Sequence, residues 1–266
     1  MKVFDIHTHI FPDKIAERTV QSLGEASGLT PSYNGTRAGL QQALQEAGLS
    51  GALNCPIATK PEQVDSITAW ASRENRWPIL SLGSIHPDYE DITGFFANLI
   101  KSGLPGIKLH PEYQHFELDD PRLVPIWEEC NKRRLTVMLH TGADIAFTPP
   151  FHSGPEAVAA LVDRYPDIKL IAAHFGGWEM WEKVEKWLLG KGVYLDTSFT
   201  LGRLSDADFV RMIREHGTER VLYGTDAPWR NQKADLEHFL RLPLSSTEKQ
   251  QILWDNARWL LPLPIH

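Results

Sequence analysis

Imidazoles and carboxylates at the ends of short apolar runs carry the chemistry of this sequence. His7 and His9 stand two apart in Asp5-Ile6-His7-Thr8-His9, His140 and His174 each close an apolar run, and Asp226 ends Tyr223-Gly224-Thr225-Asp226. Side chains alternate faces along a strand, so His7 and His9 point to one side, about 6 to 7 Å apart along the backbone, and can share one ion. His140 and Asp226, arriving from other strand ends, complete a set of three nitrogens and one oxygen suited to a borderline divalent metal such as zinc. Taken singly, an HxH pair is a weak signal, a buried histidine is more often a satisfied core residue, and Asp226 ahead of Pro228 fits a turn. The coincidence of all of them at strand ends favours a metal site.

Those strand ends belong to eight apolar runs: Val3 to His9, Gly51 to Cys55, Ile79 to Ile85, Gly106 to His110, Leu135 to His140, Lys169 to His174, Val193 to Ser198 and Arg220 to Asp226. Helical patterns separate them, among them Pro61 to Glu74, Pro121 to Lys132, Gly154 to Tyr165 and Ser205 to His216. Thr36 and Ser205 read as helix N-caps, with Gly48 and Gly217 at the far ends. Strand-to-strand steps average about 31 residues, the length of a βαβ unit, and predict an α/β fold of the (β/α)8 TIM type, with an open doubly wound sheet as the alternative. The first βα connection, residues 10 to 50, is extended: two helices joined by Ser27 to Gly35, expected over the catalytic face as a lid. No repeat or linker divides the chain, so one domain is expected over residues 1–266.

Lys and Arg number 27 against 34 Asp and Glu, a net charge of −7. That balance, with no basic run, disfavours nucleic acid and anionic membranes as partners and leaves a small-molecule substrate. No apolar stretch reaches the length of a membrane span. Two cysteines, Cys55 and Cys130, without CxxC spacing fit a reducing, cytoplasmic setting. The nine Trp and eleven Phe leave aromatic surface enough for a homodimer.

His7-Thr8-His9, His140, Ala173-His174-Phe175-Gly176-Gly177 and Gly224-Thr225-Asp226, in that order, resemble the amidohydrolase superfamily. Asp5 to Pro12, Ser84-Ile85-His86-Pro87, Gly106 to Pro111 and Asp255-Asn256-Ala257 resemble more narrowly its amidohydrolase-related branch, which includes aminocarboxymuconate-semialdehyde decarboxylase, resorcylate-type decarboxylases and lactone hydrolases. The resemblance implies a TIM-type barrel, a divalent metal on His7, His9, His140 and Asp226, and a catalytic His174 beside them. Lys108 stays open: carboxylated, it would bridge two metals and make His174 a ligand of the second; cationic, it would pair with Asp5, Glu112 or a substrate carboxylate; or it is a plain structural ion pair. One metal, zinc or else manganese, is favoured.

The chemistry expected first is hydrolysis of a small amide, lactone or related carbonyl compound by a metal-activated water, with Asp226 taking its proton and His174 steadying the oxyanion or leaving group. The alternative is metal-dependent nonoxidative decarboxylation of a small cyclic or unsaturated acid, for which Asp226 or His174 would deliver a proton. A metal-free barrel that only binds a small acid is the third reading, and the complete ligand set argues against it. Weaker substrate-binding candidates are His110, Tyr113, Arg203 and Trp229, with Phe175, Trp178 and Arg230 nearby, all following strands four, six, seven and eight.

Overall fold

The computed structural model describes residues 1–264; the last two residues of the expected domain lie outside them. Among the described residues there are nine short strands: β1 (Phe4–Thr8), β2 (Gly51–Asn54), β3 (Ile79–Ser81), β4 (Gly83–Ser84), β5 (Gly106–Leu109), β6 (Thr136–Leu139), β7 (Lys169–Ala172), β8 (Tyr194–Asp196) and β9 (Val221–Leu222). Each pairs in parallel with its neighbours in the orders β1-β2-β3 and β4-β5-β6-β7-β8-β9. The run expected over Ile79 to Ile85 is split at Leu82. The Leu82 N–H donates to Asn54 O (3.0 Å), which keeps the chain against β2, while β4 turns to β5.

Three backbone hydrogen bonds join the two ends of this order: Ile6 N–H to Tyr223 O (2.9 Å), Asp226 N–H to His7 O (2.8 Å) and His9 N–H to Ala227 O (2.7 Å). The sheet therefore closes on itself. With β3 and β4 counted as one interrupted strand, it is the eight-membered barrel that the spacing predicts.

Strand alternation sorts the apolar side chains into two layers. Phe4, Leu53, Leu80, Met138, Ile171 and Leu222 fill the barrel, where Trp254 and Leu260 join them from the C-terminal helical segment. Ile107, Val137, Leu139 and Leu170 face outward beneath Phe96, Trp127 and Phe209 of the surrounding helices. Above the apolar filling, the inward positions turn polar: Lys108, His140 and Asp196 are all buried. In β1 the register against β2 shifts between Asp5 and Thr8. This irregularity lets Ile6 join the apolar filling while His7, the next residue, reaches the polar layer.

The first connection holds α1 (Asp13–Ser27) and α2 (Arg37–Ala47). Thr36 caps α2 by accepting from Gly39 N–H, and Gly48 ends it in the left-handed conformation. The segment between the helices straps the barrel seam rather than standing free above it. Tyr33 donates its hydroxyl to His9 O (2.7 Å), with Ala227 O at 3.1 Å, and Ser32 N–H donates to Pro228 O (2.7 Å).

His216, at the end of the helix Asp206–His216, is fully buried and serves the backbone with both ring nitrogens. Nε2 lies 2.9 Å from Val193 O and Nδ1 accepts from Gly190 N–H at 3.3 Å, an arrangement that requires the neutral ring. Burial lowers its pKa from 6.5 to about 4. The fold favours the neutral form, so this contribution to stability is complete above pH 6.5 and is lost as pH falls toward 4. The drop in unfolding free energy between pH 7.5 and pH 5 should be about 2 kcal/mol smaller in His216→Gln than in the parent, measured by denaturant titration at both pH values.

Candidate metal centre and active site

The expected functional residues meet at the end of the barrel where the strands finish. A cavity of about 680 Å³ opens there, lined by His7, His9, Lys108, His140, His174 and Asp226 at its base. Two of these residues sit on strained backbone. His174 (φ 56°) and Asp226 (φ 65°) adopt the left-handed conformation, which costs a non-glycine residue on the order of 1–3 kcal/mol. Each is pinned through its own N–H, His174 to Asp196 Oδ1 (2.9 Å) and Asp226 to His7 O (2.8 Å).

Three donor atoms converge. Asp226 Oδ1 lies 2.8 Å from His9 Nε2 and 3.3 Å from His7 Nε2. On its other side His7 meets Asp196, with Nδ1 2.8 Å from Oδ2. A carboxylate at Nδ1 fixes the proton there and leaves a lone pair on Nε2. Burial, reinforced by the charge on Lys108, lowers the His7 pKa to about 4 and keeps the ring neutral. Burial pushes the Asp226 carboxyl upward, but His7 and His9 outweigh it and hold the carboxyl well below the ordinary range. A nitrogen lone pair and a carboxylate oxygen thus face each other, which is an environment that calls for a cation. The donor chemistry fits a divalent metal.

The expected four ligands are divided. His140 Nδ1 lies 3.0 Å from His174 Nε2, and its ring stacks on His110 with centroids 4.0 Å apart. His110, His140 and Asp144 form a second group of potential donors, separate from His7, His9 and Asp226. Lys108 Nζ is 3.2 Å from His7 Nε2. The ion pairs expected for Lys108 do not form. Asp5 instead accepts from Thr225 Oγ1 and Gln232 Nε2 (both 2.6 Å), and Glu112 accepts from His152 N–H (2.8 Å) and lies 2.6 Å from its Nδ1. Burial drives the Lys108 pKa down.

Of the weaker candidates, His110, Tyr113 and Trp229 line the cavity. Arg203 is absent from its lining; about half exposed, it lies 4.0 Å from Glu179 and over the Trp178 ring. Arg230 is tied to Asp235 (2.6 Å). Sequence reasoning missed Asp196, Ser198 and Asp144. Ser198 Oγ, bonded to Asp196, lies 2.9 Å from His174 Nδ1 and 3.3 Å from His7 Nδ1. The available signal was Asp196-Thr197-Ser198, a polar strand end like those that were read.

The amidohydrolase family model matches residues 4–263. The chain belongs to the amidohydrolase family. It is an enzyme of that superfamily, whose members hold a divalent metal. A γ-resorcylate decarboxylase of Polaromonas sp. is 26% identical over 125 residues, 40% of this chain and 37% of that protein. A 2-amino-3-carboxymuconate-6-semialdehyde decarboxylase of Dictyostelium discoideum is 33% identical over 95 residues, 30% of this chain and 26% of that protein. The chain therefore spans little more than a third of the length of the first relative and about a quarter of the second. A solved TIM-barrel protein from Bordetella bronchiseptica shares the fold, with TM-score 0.79, 18% identity and 98% of each chain covered.

For this amidohydrolase, the contact of Asp196 with His7 gives a direct test. Asp196→Asn keeps the shape and removes the charge that sets the His7 tautomer. Zinc affinity, measured by competition with a chromogenic chelator, should fall about 10- to 100-fold.

Proposed function

We propose that the protein is a metal-dependent nonoxidative decarboxylase of a small cyclic or unsaturated carboxylic acid. The observation that carries this reading is the Asp226 carboxylate, shared by His7 and His9, at the base of a cavity with mainly apolar walls. Hydrolysis uses the same residues. Both curated relatives are decarboxylases, which supports the carboxy-lyase over the hydrolase expected first.

His7, His9 and Asp226 would hold the ion, with His140 as the fourth donor. The metal, zinc or manganese, would supply a Lewis-acid anchor for the substrate carboxylate and an adjacent oxygen. The C–C bond to the carboxyl group breaks, its electron pair stays on the substrate carbon, and CO2 leaves. Asp226, a carboxylate at rest that reaches the cavity, takes a proton from water there and passes it to that carbon, and the hydroxide left behind is taken up by CO2 as bicarbonate. His174 is held by Ser198 and the Asp196 carboxylate and keeps the neighbouring imidazoles in place.

One ion per chain is the stoichiometry in this reading. Its donors His7, His9 and Asp226 converge on a single position. Elemental analysis of protein purified without chelator should return about one divalent ion per chain, lost in the His7→Ala/His9→Ala double variant. A value near two would instead support a carboxylated Lys108.

The reaction is tested by CO2 release from γ-resorcylate and from 2-amino-3-carboxymuconate-6-semialdehyde. Turnover should fall by about 10²- to 10⁴-fold in Asp226→Asn. Opening of lactones or amides with no CO2 from any acid would return the assignment to a hydrolase.

A further inference from the structure

The cavity does not end at the histidines. It continues between α1 and the helix Val64–Glu74, where Ile15, Thr19 and Leu23 on one side face Ile67 and Trp70 on the other. The fully buried stripe of each helix lies beside these residues, and Ile67 and Trp70, partly buried, also pack against the core. Ala16, Val20 and Gly24 are the buried face of α1, and Val64, Thr68 and Ala71 that of the second helix. The cavity-lining residues form stripes at helical spacing, apolar at Ile15, Leu23, Ile67 and Trp70, with Thr19, Ser27, Ser66 and Arg73 as their polar members. Ile15 remains 40% exposed. Both carboxylates in the cavity lining, Asp144 and Asp226, lie at the histidine end. The whole space of about 680 Å³ would hold roughly twenty liquid waters at ~30 Å³ each, more than a single-ring acid fills.

We propose that the substrate carries an extended apolar arm, seated between α1 and the helix Val64–Glu74, with its polar head at the metal centre. The proposal rests on the reading of that centre as the reaction site. Continuity decides the occupant: the groove and the histidine cluster are one cavity, so a ligand whose head reaches Asp226 can lay an apolar substituent along Leu23, Ile67 and Trp70. An apolar arm gains affinity by leaving water, and the gain grows with its length until the groove is filled.

The test uses zinc-loaded protein and a homologous series of alkyl hydroxamates, from acetohydroxamate to octanohydroxamate, with binding measured by calorimetry. Affinity should rise about fourfold per methylene. Leu23→Asp and Ile67→Asp should flatten that rise, while acetohydroxamate, too short to reach the groove, reports that the head-group site is intact. Acetohydroxamate binding with no dependence on chain length, or a dependence unaffected by either variant, overturns the arm and leaves the metal-centre reading standing. Failure of every hydroxamate to bind the loaded protein overturns both. Loss of a dimer in Ile67→Asp by light scattering, with no length dependence in the parent, would assign the groove to a second copy of the chain.

Discussion

The seam between β1 and the segment after β9 is the constraint on which the site depends. Closing a parallel barrel leaves no sheet edge, and here closure also brings together the donors contributed by the first strand and the last. The hydrogen bond from Asp226 N–H to His7 O fixes the backbone of one donor residue to that of another. Asp5, buried beneath, strengthens the same junction by accepting from Thr225 and Gln232. Burial raises the Asp5 pKa to about 7, against the pull of its four donor contacts. Tyr33 adds a side-chain clasp above. Metal-binding geometry and barrel closure are therefore the same structural event.

The residues with a repeating pattern were legible in the sequence. His7 and His9 announce themselves because a period of two puts them on one face, and strand ends carrying His140, His174 and Asp226 stand out because buried strands otherwise finish apolar. The barrel itself follows from the spacing of apolar runs. What could not be read depends on contacts between distant residues. Asp196 is a lone acid until His7, from another strand, meets it at 2.8 Å. Lys108 has several acids within reach of imagination, but only three dimensions show that Asp5 and Glu112 are already engaged. Leu82 breaks its strand through a bond to Asn54, which no local propensity encodes. Arg203, placed by order along the chain, lies with Glu179 and Trp178 instead of in the cavity lining.

The polar layer of the barrel has few groups that carry charge unopposed. His7, His110, His140 and His174 are all driven toward the neutral form, with burial as the main cause. Neutral imidazoles are what a metal requires, and they spare the interior the cost of several buried cations. The negative charge of Asp196 and Asp226 is the counterpart that makes a cation welcome there. Hydrolysis and decarboxylation would both use this electrostatic arrangement, which is why the shape of the cavity and the nature of the substrate, rather than the donors, separate the two chemistries.

The seam also governs when the molecule can become whole. Asp5 and Thr225, joined across it, are 220 positions apart in the chain. On a ribosome, the first strand emerges with His7 and His9 long before the segment that will cover its open edge has been made. Contacts of such sequence separation form late and slow the search for the native state. The nascent barrel must therefore wait as an incomplete sheet with one unpaired border, vulnerable to pairing with other chains, until its final strand is released.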